Sequence, residues 1–418
     1  MNKKFEIKYL KRAIYILNKI YELSGYEAYL VGGAVRDFLL NRRTSDFDVA
    51  INVKSLIVFK DRFFQEEFKF LRYEKYYKSI KLIDKKTGLK FEFTPMRKEF
   101  YGKTCEPRII FTNKPEVDSR RRDFKINAIY MDRNEKILDF TNSISDLKNS
   151  RISFIGSPRK RILEDAKRII RALKFRELLS FKFQKETYSE IFKNFYLIKN
   201  ISNDYKYNEL KTIILKQDDL VFNLLCEIGF INKRTYEREY KQRYNLFKNC
   251  LEKYRIKYDI FISILIIKFE IKDIESFLNF LGFRNKQIIK IKELIGFYNS
   301  LEDYLEVCVK ILNRYGLGLL YDYYNISNFI RIVWGVSSAE SEKIDKIAKI
   351  IHNIERGLIP SSIREVDING DDLMKIGIKG ALIGKTLNEI FKLTLVEENN
   401  QKENLLKFAD IIHNRIRR

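Results

Sequence analysis

Histidine is nearly absent from this 418-residue chain, which holds only His352 and His413. A metal site built on imidazole, or a histidine general base, therefore has almost no material to work with. Cysteine is scarce as well. Cys105, Cys226, Cys250 and Cys308 lie far apart and form no CxxC pair, so neither zinc nor disulfides are expected, and a reducing cytoplasm fits. Long apolar runs are missing too. The longest mostly apolar stretch, Ile260 to Ile267, is too short to cross a bilayer, so no membrane span is expected. The N-terminal MNKKFEIKYLKRAIYIL alternates charged and apolar residues, as an amphipathic helix does, and lacks the apolar core of a signal peptide. Acidic residues are the minority charge. The 56 Asp and Glu stand against 80 Lys and Arg, for a formal net charge of +24. An excess of this size suits a polyanionic partner, with nucleic acid preferred over an anionic membrane surface. The richness in Lys, Ile, Asn, Tyr and Phe is also what a compositional bias would give.

What is present is organised around Tyr29 to Ile51, YLVGGAVRDFLLNRRTSDFDVAI. Tyr29-Leu30-Val31 reads as a short strand. Gly32-Gly33 then permits a tight turn into a helix from Ala34 to Leu40 that carries Arg36 early. Free amides at such a turn favour an anion such as phosphate. Asp46 and Asp48 follow, two residues apart on a strand, so period-2 alternation points both to one face while Phe47 and Val49 face the other. Two adjacent carboxylates repel unless a cation lies between them, and hard oxygen ligands suit Mg²⁺. An edge strand with a solvated acidic face is the plainer alternative.

Further polar sets follow in order. Asn2 to Ser24 reads as a helix, and Lys54 to Phe70 as mixed helix and loop. SIKLID and LKFEFT around Lys85-Lys86-Thr87-Gly88 read as a hairpin. Glu92 would face away from Phe91 and Phe93, either as a third metal carboxylate or as a solvated residue of an amphipathic strand. Arg97 to Lys114 reads as loop, with Gly102 and Pro107 as breakers. Arg120, Arg121 and Arg122 then precede Asp123 and Asn127. Arginine forks suit phosphate oxygens and an Asp can accept from a ribose hydroxyl, although a basic helix face with local salt bridges would look the same. Ile137 to Phe140 reads as a short strand. From Ile162 to Phe175 the apolar stripe is helical, placing Glu164 and Arg168 at i,i+4 and Asp165 and Arg168 at i,i+3 on one face, either as a recognition pair or as ordinary intrahelical ion pairs. From Tyr205 to about Gly357 the periodicity stays helical, with breaks near Gly229, Gly282 and Gly316 and no clear internal repeat.

Taken together, these segments resemble the class II tRNA nucleotidyltransferases, the family of CCA-adding enzymes and bacterial poly(A) polymerases. The motifs LVGGAVRDFLL, DFDVA, FEFTPMR, RRDFKINA and EDAKRIIRALKF stand in the family's order between about Tyr29 and Phe181. The likeness resumes at DINGDDLMKIGIKGALIGKTLNEI and at Lys402 to Ala409. The resemblance implies an α+β head, with a nucleotidyltransferase-type mixed sheet and helices, over residues 1–150. An all-α remainder would follow as neck (151–220), body (221–357) and tail (358–418). It implies template-independent addition of CCA to the 3′ end of tRNA from CTP and ATP, with two Mg²⁺ ions. Asp46, Asp48 and Glu92 would be the catalytic, metal-holding carboxylates. Gly32, Gly33 and Arg36 would hold triphosphate, and Arg122, Asp123 and Asn127 triphosphate and ribose. Glu164, Asp165 and Arg168 would position and read the base, supported by Arg171.

The chain departs from the family pattern in two places. Tyr205 stands where the family often has Arg, and the loop Arg97 to Gly102 is short. The presence of that loop favours a complete CCA-adder over an enzyme adding only CC. A poly(A) polymerase using ATP alone is the first alternative, but its basic glycine signature and long arginine-rich tail are not found. A nucleic-acid-binding module with an inactive head is the second, and it gives no reason to keep three carboxylates together.

Overall fold

The structure is a computed structural model that describes residues 2–102, 106–216, 219–398 and 400–417. Cys105 lies outside the described residues. The chain forms two compact units, Met1–Ser202 and Asn203–Arg418.

In the first unit the amphipathic N-terminal segment is helix α1 (Asn2–Ser24). Then come β1 (Tyr29–Val31), α2 (Gly33–Leu39), β2 (Asp46–Ile51), α3 (Arg62–Glu67), β3 (Phe68–Glu74), β4 (Ser79–Asp84) and β5 (Lys90–Pro95). A hairpin of β6 (Arg97–Phe100) and β7 (Arg108–Phe111) leads to α4 (Pro115–Arg121), β8 (Ile129–Met131) and β9 (Ile137–Asp139). The unit closes with α5 (Ser143–Lys148), β10 (Arg151–Ile152), α6 (Pro158–Glu164), α7 (Lys167–Leu179), β11 (Lys182–Phe183) and α8 (Lys185–Asn194). Seven strands make one mixed sheet in the order β3-β4-β5-β2-β1-β8-β9.

Alternation decides which side of this sheet is core. On β2 and β5, Phe47, Val49, Phe91 and Phe93 are buried on one face. Phe47 and Phe91 stack at 5.2 Å across the two strands, and Phe64 and Phe68 extend the cluster. Helix α1 is tied to this face by Arg12, which bonds the fully buried Asp84 (2.6 Å) and Glu67 (2.6 Å). Because β2 and β5 are parallel and in register, Asp46 pairs with Lys90 and Asp48 with Glu92, and these four face away from the aromatic layer.

Two stretches differ from the sequence expectation. Residues 54–70, read as helix and loop, end in the edge strand β3, five of whose seven residues are exposed. Its register shifts between Phe70 and Arg72, so no alternation marks it. Residues 97–114, read as loop, contain the antiparallel β6–β7 hairpin, with Arg97 opposite Phe111 and Phe100 opposite Arg108. Gly102 and Pro107 fall in its connection rather than in its strands.

The second unit is helical, from Asn203–Leu215 to Lys402–Arg417. Ile260 to Ile267 belongs to the buried helix Tyr258–Lys268. Among the described residues no helix is long and apolar enough to cross a membrane, and Cys226, Cys250 and Cys308 are free thiols. Gly282, at φ +90°, ends the helix Ile274–Leu281 against Asn203 to Tyr207, where an added Cβ would come within 2.7 Å of Lys206 Cβ.

The aromatic layer sets the register that places Glu92 beside Asp48. Replacing Phe91 by Ala is therefore expected to cost about 3–5 kcal/mol. Urea unfolding of the two proteins measures it, and a loss under about 1 kcal/mol would show that the layer closes over the gap.

Candidate active site

Strand β1 ends with Val31 opposite Asp48, and Gly32 follows at once. Gly32 has φ +77° and ψ −140°, and a Cβ there would lie 2.7 Å from Asp48 Oδ2. Glycine alone lets the backbone pass that close to the carboxylate. Asp48 keeps exposed surface, yet the crowding around it desolvates the carboxyl and raises its pKa, with Glu92 and Asp46 adding repulsion and Arg122 opposing them.

Asp48 opens onto a cavity of about 500 Å³ within the first unit. Ten of the thirteen residues expected to form the site line it: Gly32, Gly33, Arg36, Asp48, Arg122, Asp123, Asn127, Asp165, Arg168 and Arg171. Asp46, Glu92 and Glu164 do not. Sequence reasoning missed Tyr77, Arg97, Glu99, Tyr101 and Phe175, which also line it, as does Arg121 of the arginine triplet. The alternation of Arg97, Glu99 and Tyr101 was the available signal for the hairpin that brings these three. A larger groove of about 700 Å³ in the second unit, lined by Lys310, Arg314, Lys385 and Lys392 among others, contains none of the expected residues.

The arginines are held by partners that the local motif does not reveal. Asp118, fully buried, accepts from Arg97 N (2.9 Å), Arg121 Nε (2.7 Å), Tyr130 OH (2.5 Å) and Arg122 Nη2 (3.4 Å). Burial alone would raise its pKa, but Arg121, Arg122 and the Tyr130 hydroxyl bring it down to about 2. Arg122 also bonds the Tyr130 oxygen at 3.0 Å and is thereby aimed toward Asp48. Arg36 is buried, donates to Asn127 Oδ1 at 2.7 Å and to Asp37, and lies over the Phe175 ring. It joins α2, the 3₁₀ turn Lys125–Asn127 and α7 into one cavity wall. Asp123 receives Phe124 N at 2.8 Å and pairs with Arg171 Nη2 at 2.8 Å.

The base-reading segment needs a correction. The helix expected from Ile162 to Phe175 is interrupted: α6 ends at Glu164, Asp165 is extended at φ −156°, and α7 begins at Lys167. At the break the Asp165 Oδ1 accepts from Lys167 N at 3.0 Å, a local side-chain bond that competes with a continuous helix. Asp165 and Arg168 therefore do not share one helix face, although both reach the cavity. Glu164 turns to Arg161 Nη1 (2.5 Å) and Arg168 Nη1 (2.8 Å) instead of lining it. Arg168 Nη2 donates to the Tyr101 hydroxyl at 2.9 Å, and that hydroxyl donates to Glu99 at 2.9 Å. Burial, together with Glu99, raises the Tyr101 pKa and keeps it a protonated donor.

The three carboxylates lie in one patch of the sheet face but do not converge. Lys81 Nζ lies 2.8 Å from Glu92 Oε2, and among the described residues no group of three His, Cys, Asp or Glu side chains stands ready to hold a metal ion. Their chemistry fits a hard divalent cation: Asp48 and Glu92 are register partners, Asp46 shares their face, and a lysine already supplies positive charge there.

Comparison with known proteins adds the decisive observation. Residues 28–153 match the poly A polymerase head domain. The CCA-adding enzyme of Staphylococcus haemolyticus is 27% identical over 406 residues, covering 94% of this chain and 96% of the relative. Along nearly its whole length the chain is similar to CCA-adding enzymes, and its first third matches a poly A polymerase head. The CCA-adding enzyme of Ligilactobacillus salivarius is 35% identical over 207 residues, 49% of each chain. The fold is similar to that of the Bacillus stearothermophilus CCA-adding enzyme in complex with CTP, with TM-score 0.67, 21% identity and coverage of 97% of this chain and 98% of that one.

Asp118 yields a pH-dependent expectation. Its folded pKa is lowered, so its stabilisation is complete above about pH 4, the unfolded value, and is lost as the pH falls toward about 2. Asp118→Asn leaves Arg121 and Arg122 without their buried counter-charge and is expected to cost about 3–5 kcal/mol at pH 7. The gap from wild type should shrink between pH 4 and pH 2 in urea unfolding. A gap constant across that window would mean that Asp118 is not an ionised partner.

Proposed function

We propose that this protein adds the CCA terminus to tRNA, transferring CMP and AMP from CTP and ATP to the RNA 3′-hydroxyl without a nucleic-acid template. The observation that carries this reading is that one cavity is lined both by Arg122 and Arg171, on the phosphate side of the reading, and by the base-directed Asp165 and Arg168, together with Asp48. The name of a relative aligned over nearly the whole chain supports it. In this reading residues 1–150 are the catalytic head, 151–220 the base-reading neck, and 221–357 and 358–418 the body and tail along the tRNA.

The triphosphate lies against Gly32 and Gly33, its charge met by Arg122 and by Arg171, which was expected to support the base-reading face but pairs with Asp123 instead. Asp123 holds Arg171 in place, and Asn127, whose oxygen binds Arg36, keeps its amide to donate to the nucleotide. The RNA 3′-hydroxyl gives up its proton to solvent as its oxygen bonds to the α-phosphorus, the bond from that phosphorus to its bridging oxygen breaks, and pyrophosphate leaves. Asp46, Asp48 and Glu92 would hold two Mg²⁺ ions, whose charge would activate the attacking hydroxyl and stabilise the leaving group. Glu92 must exchange Lys81 for that charge.

Base choice follows from donor and acceptor pattern. Cytosine and adenine both present an amine donor beside a ring-nitrogen acceptor. Asp165 keeps one oxygen to accept from the amine. Arg168 spends N–H groups on Arg161 O, Glu164 and Tyr101, keeping Nε–H and one Nη2 proton for the ring nitrogen. Uracil and guanine present the reverse pattern and leave these groups unpaired, at roughly 1–3 kcal/mol per lost bond.

Incubation with a tRNA lacking its terminus and each of the four labelled nucleotides tests the function directly. C followed by A is expected, and A alone would favour the poly(A) polymerase reading that the head-domain match also permits. Asp165→Ala and Arg168→Ala should each lower CTP and ATP use together and narrow the gap to UTP and GTP. Full discrimination in either variant would return that residue to a purely structural role. Asp46→Asn and Asp48→Asn should abolish transfer at saturating Mg²⁺ with little change in melting temperature, because each removes one of two repelling charges. Turnover undiminished in either variant would remove that carboxylate from the mechanism.

A further inference from the structure

The face that carries the carboxylates does not stop at Glu92. Register takes one row outward from Asp48 on β2 to Glu92 on β5, Lys81 on β4 and Arg72 on the edge strand β3. The neighbouring row runs through Asp46, Lys90, Ile83 and Lys69. Residues paired across strands share a face, so Lys69, Arg72, Lys81 and Lys90 stand on the same side of the sheet as the carboxylates, and all four are exposed.

The bulge in β3 contributes to this arrangement. Without the register shift between Phe70 and Arg72, the residue opposite Lys81 would be Leu71. The extra residue puts Arg72 there instead and leaves Lys69 on the same face. Lys81 is paired with Glu92, whereas among the described residues Lys69, Arg72 and Lys90 have no acidic partner. With strands about 4.8 Å apart, the row from Asp48 to Arg72 spans about 14 Å and ends at an open edge.

The direction of the reaction shows what this surface faces. The cavity wall of Gly32, Arg36, Arg122 and Arg171 takes the triphosphate on one side of Asp48. Displacement at phosphorus keeps the attacking and leaving oxygens roughly in line, so the attacking 3′-hydroxyl arrives from the side away from that wall. We propose that the single-stranded 3′ end of the RNA lies across the β5–β4–β3 face, its phosphates neutralised by Lys69, Arg72 and Lys90. This rests on the polynucleotide 3′-end reading given above and adds the strand's path to it. Phe70 and Tyr73 pair toward the opposite face, beside Leu82 and Ile80, so phosphate contact rather than base stacking is the mode of recognition.

The test uses the full chain and a tRNA lacking its CCA terminus. The double variant Lys69→Ala/Arg72→Ala changes only exposed side chains of an edge strand, and a thermal melt checks that the fold is kept. Its KM for RNA should rise about ten-fold, and its salt dependence should flatten by about 0.7 for each phosphate no longer neutralised. KM for CTP and kcat at saturating RNA should not move. Lys8→Ala/Lys11→Ala removes the same charge from α1, on the other face of the sheet, and should leave KM for RNA unchanged. An unchanged KM and salt slope in the first variant, or an equal rise in both, would overturn the proposed path. A wild-type protein that adds no nucleotide to any RNA would overturn the functional reading instead.

Discussion

The fully buried carboxylate of Asp118 gathers groups from separate parts of the chain: the Arg97 amide at the start of β6, Arg121 and Arg122 at the end of α4, and the Tyr130 hydroxyl on β8. An ionised aspartate is tolerated at such depth only because two guanidiniums and a phenol surround it. The cavity depends on this arrangement. Arg122 reaches toward Asp48 from it, Arg121 and Arg97 meet Glu99 from it, and Glu99 passes the connection through Tyr101 to Arg168. Phosphate-directed and base-directed arginines thus belong to a single polar network. Substitutions along it should be strongly non-additive, since each member fixes the orientation of the next.

Much of this was legible in the sequence where chemistry and spacing are local. Asp46 and Asp48 announce themselves by alternation on one strand, and Gly32 by the turn that precedes α2. Arg122, Asp123 and Asn127 arrive within six residues and reach the same cavity. What could not be read depends on distant partners. Asp118 sits in plain view before the arginines, but its role needs Tyr130 and the Arg97 amide. Tyr101 does lie outside a strand, just past the end of β6 at Phe100, and its place in the cavity depends on a hairpin too short to announce itself.

Two misreadings have local causes. A continuous apolar stripe from Ile162 to Phe175 argued for one helix, yet Asp165 bonds Lys167 N and the backbone extends there. Side-chain competition for a backbone amide outweighed periodicity. In β3 the difficulty is the reverse, for an exposed and bulged edge strand has no buried stripe to reveal it. The helical character of the second unit was legible from periodicity alone, because its apolar residues recur with the spacing of packed helices.

The parallel pairing of β2 with β5 has a consequence for the order in which the molecule assembles. β3, β4 and β5 are antiparallel neighbours in the chain and can zip from their turns, whereas joining β2 to β5 closes a loop that encloses all of α3, β3 and β4. Such non-local closure carries the larger entropic cost and comes late on the folding route. Asp48 and Glu92 therefore first meet when the hairpin is already built and Phe47 closes onto Phe91. The mutual repulsion of the carboxylates is felt at the end of folding, where aromatic burial outweighs it, and not at nucleation, where it would slow the whole chain.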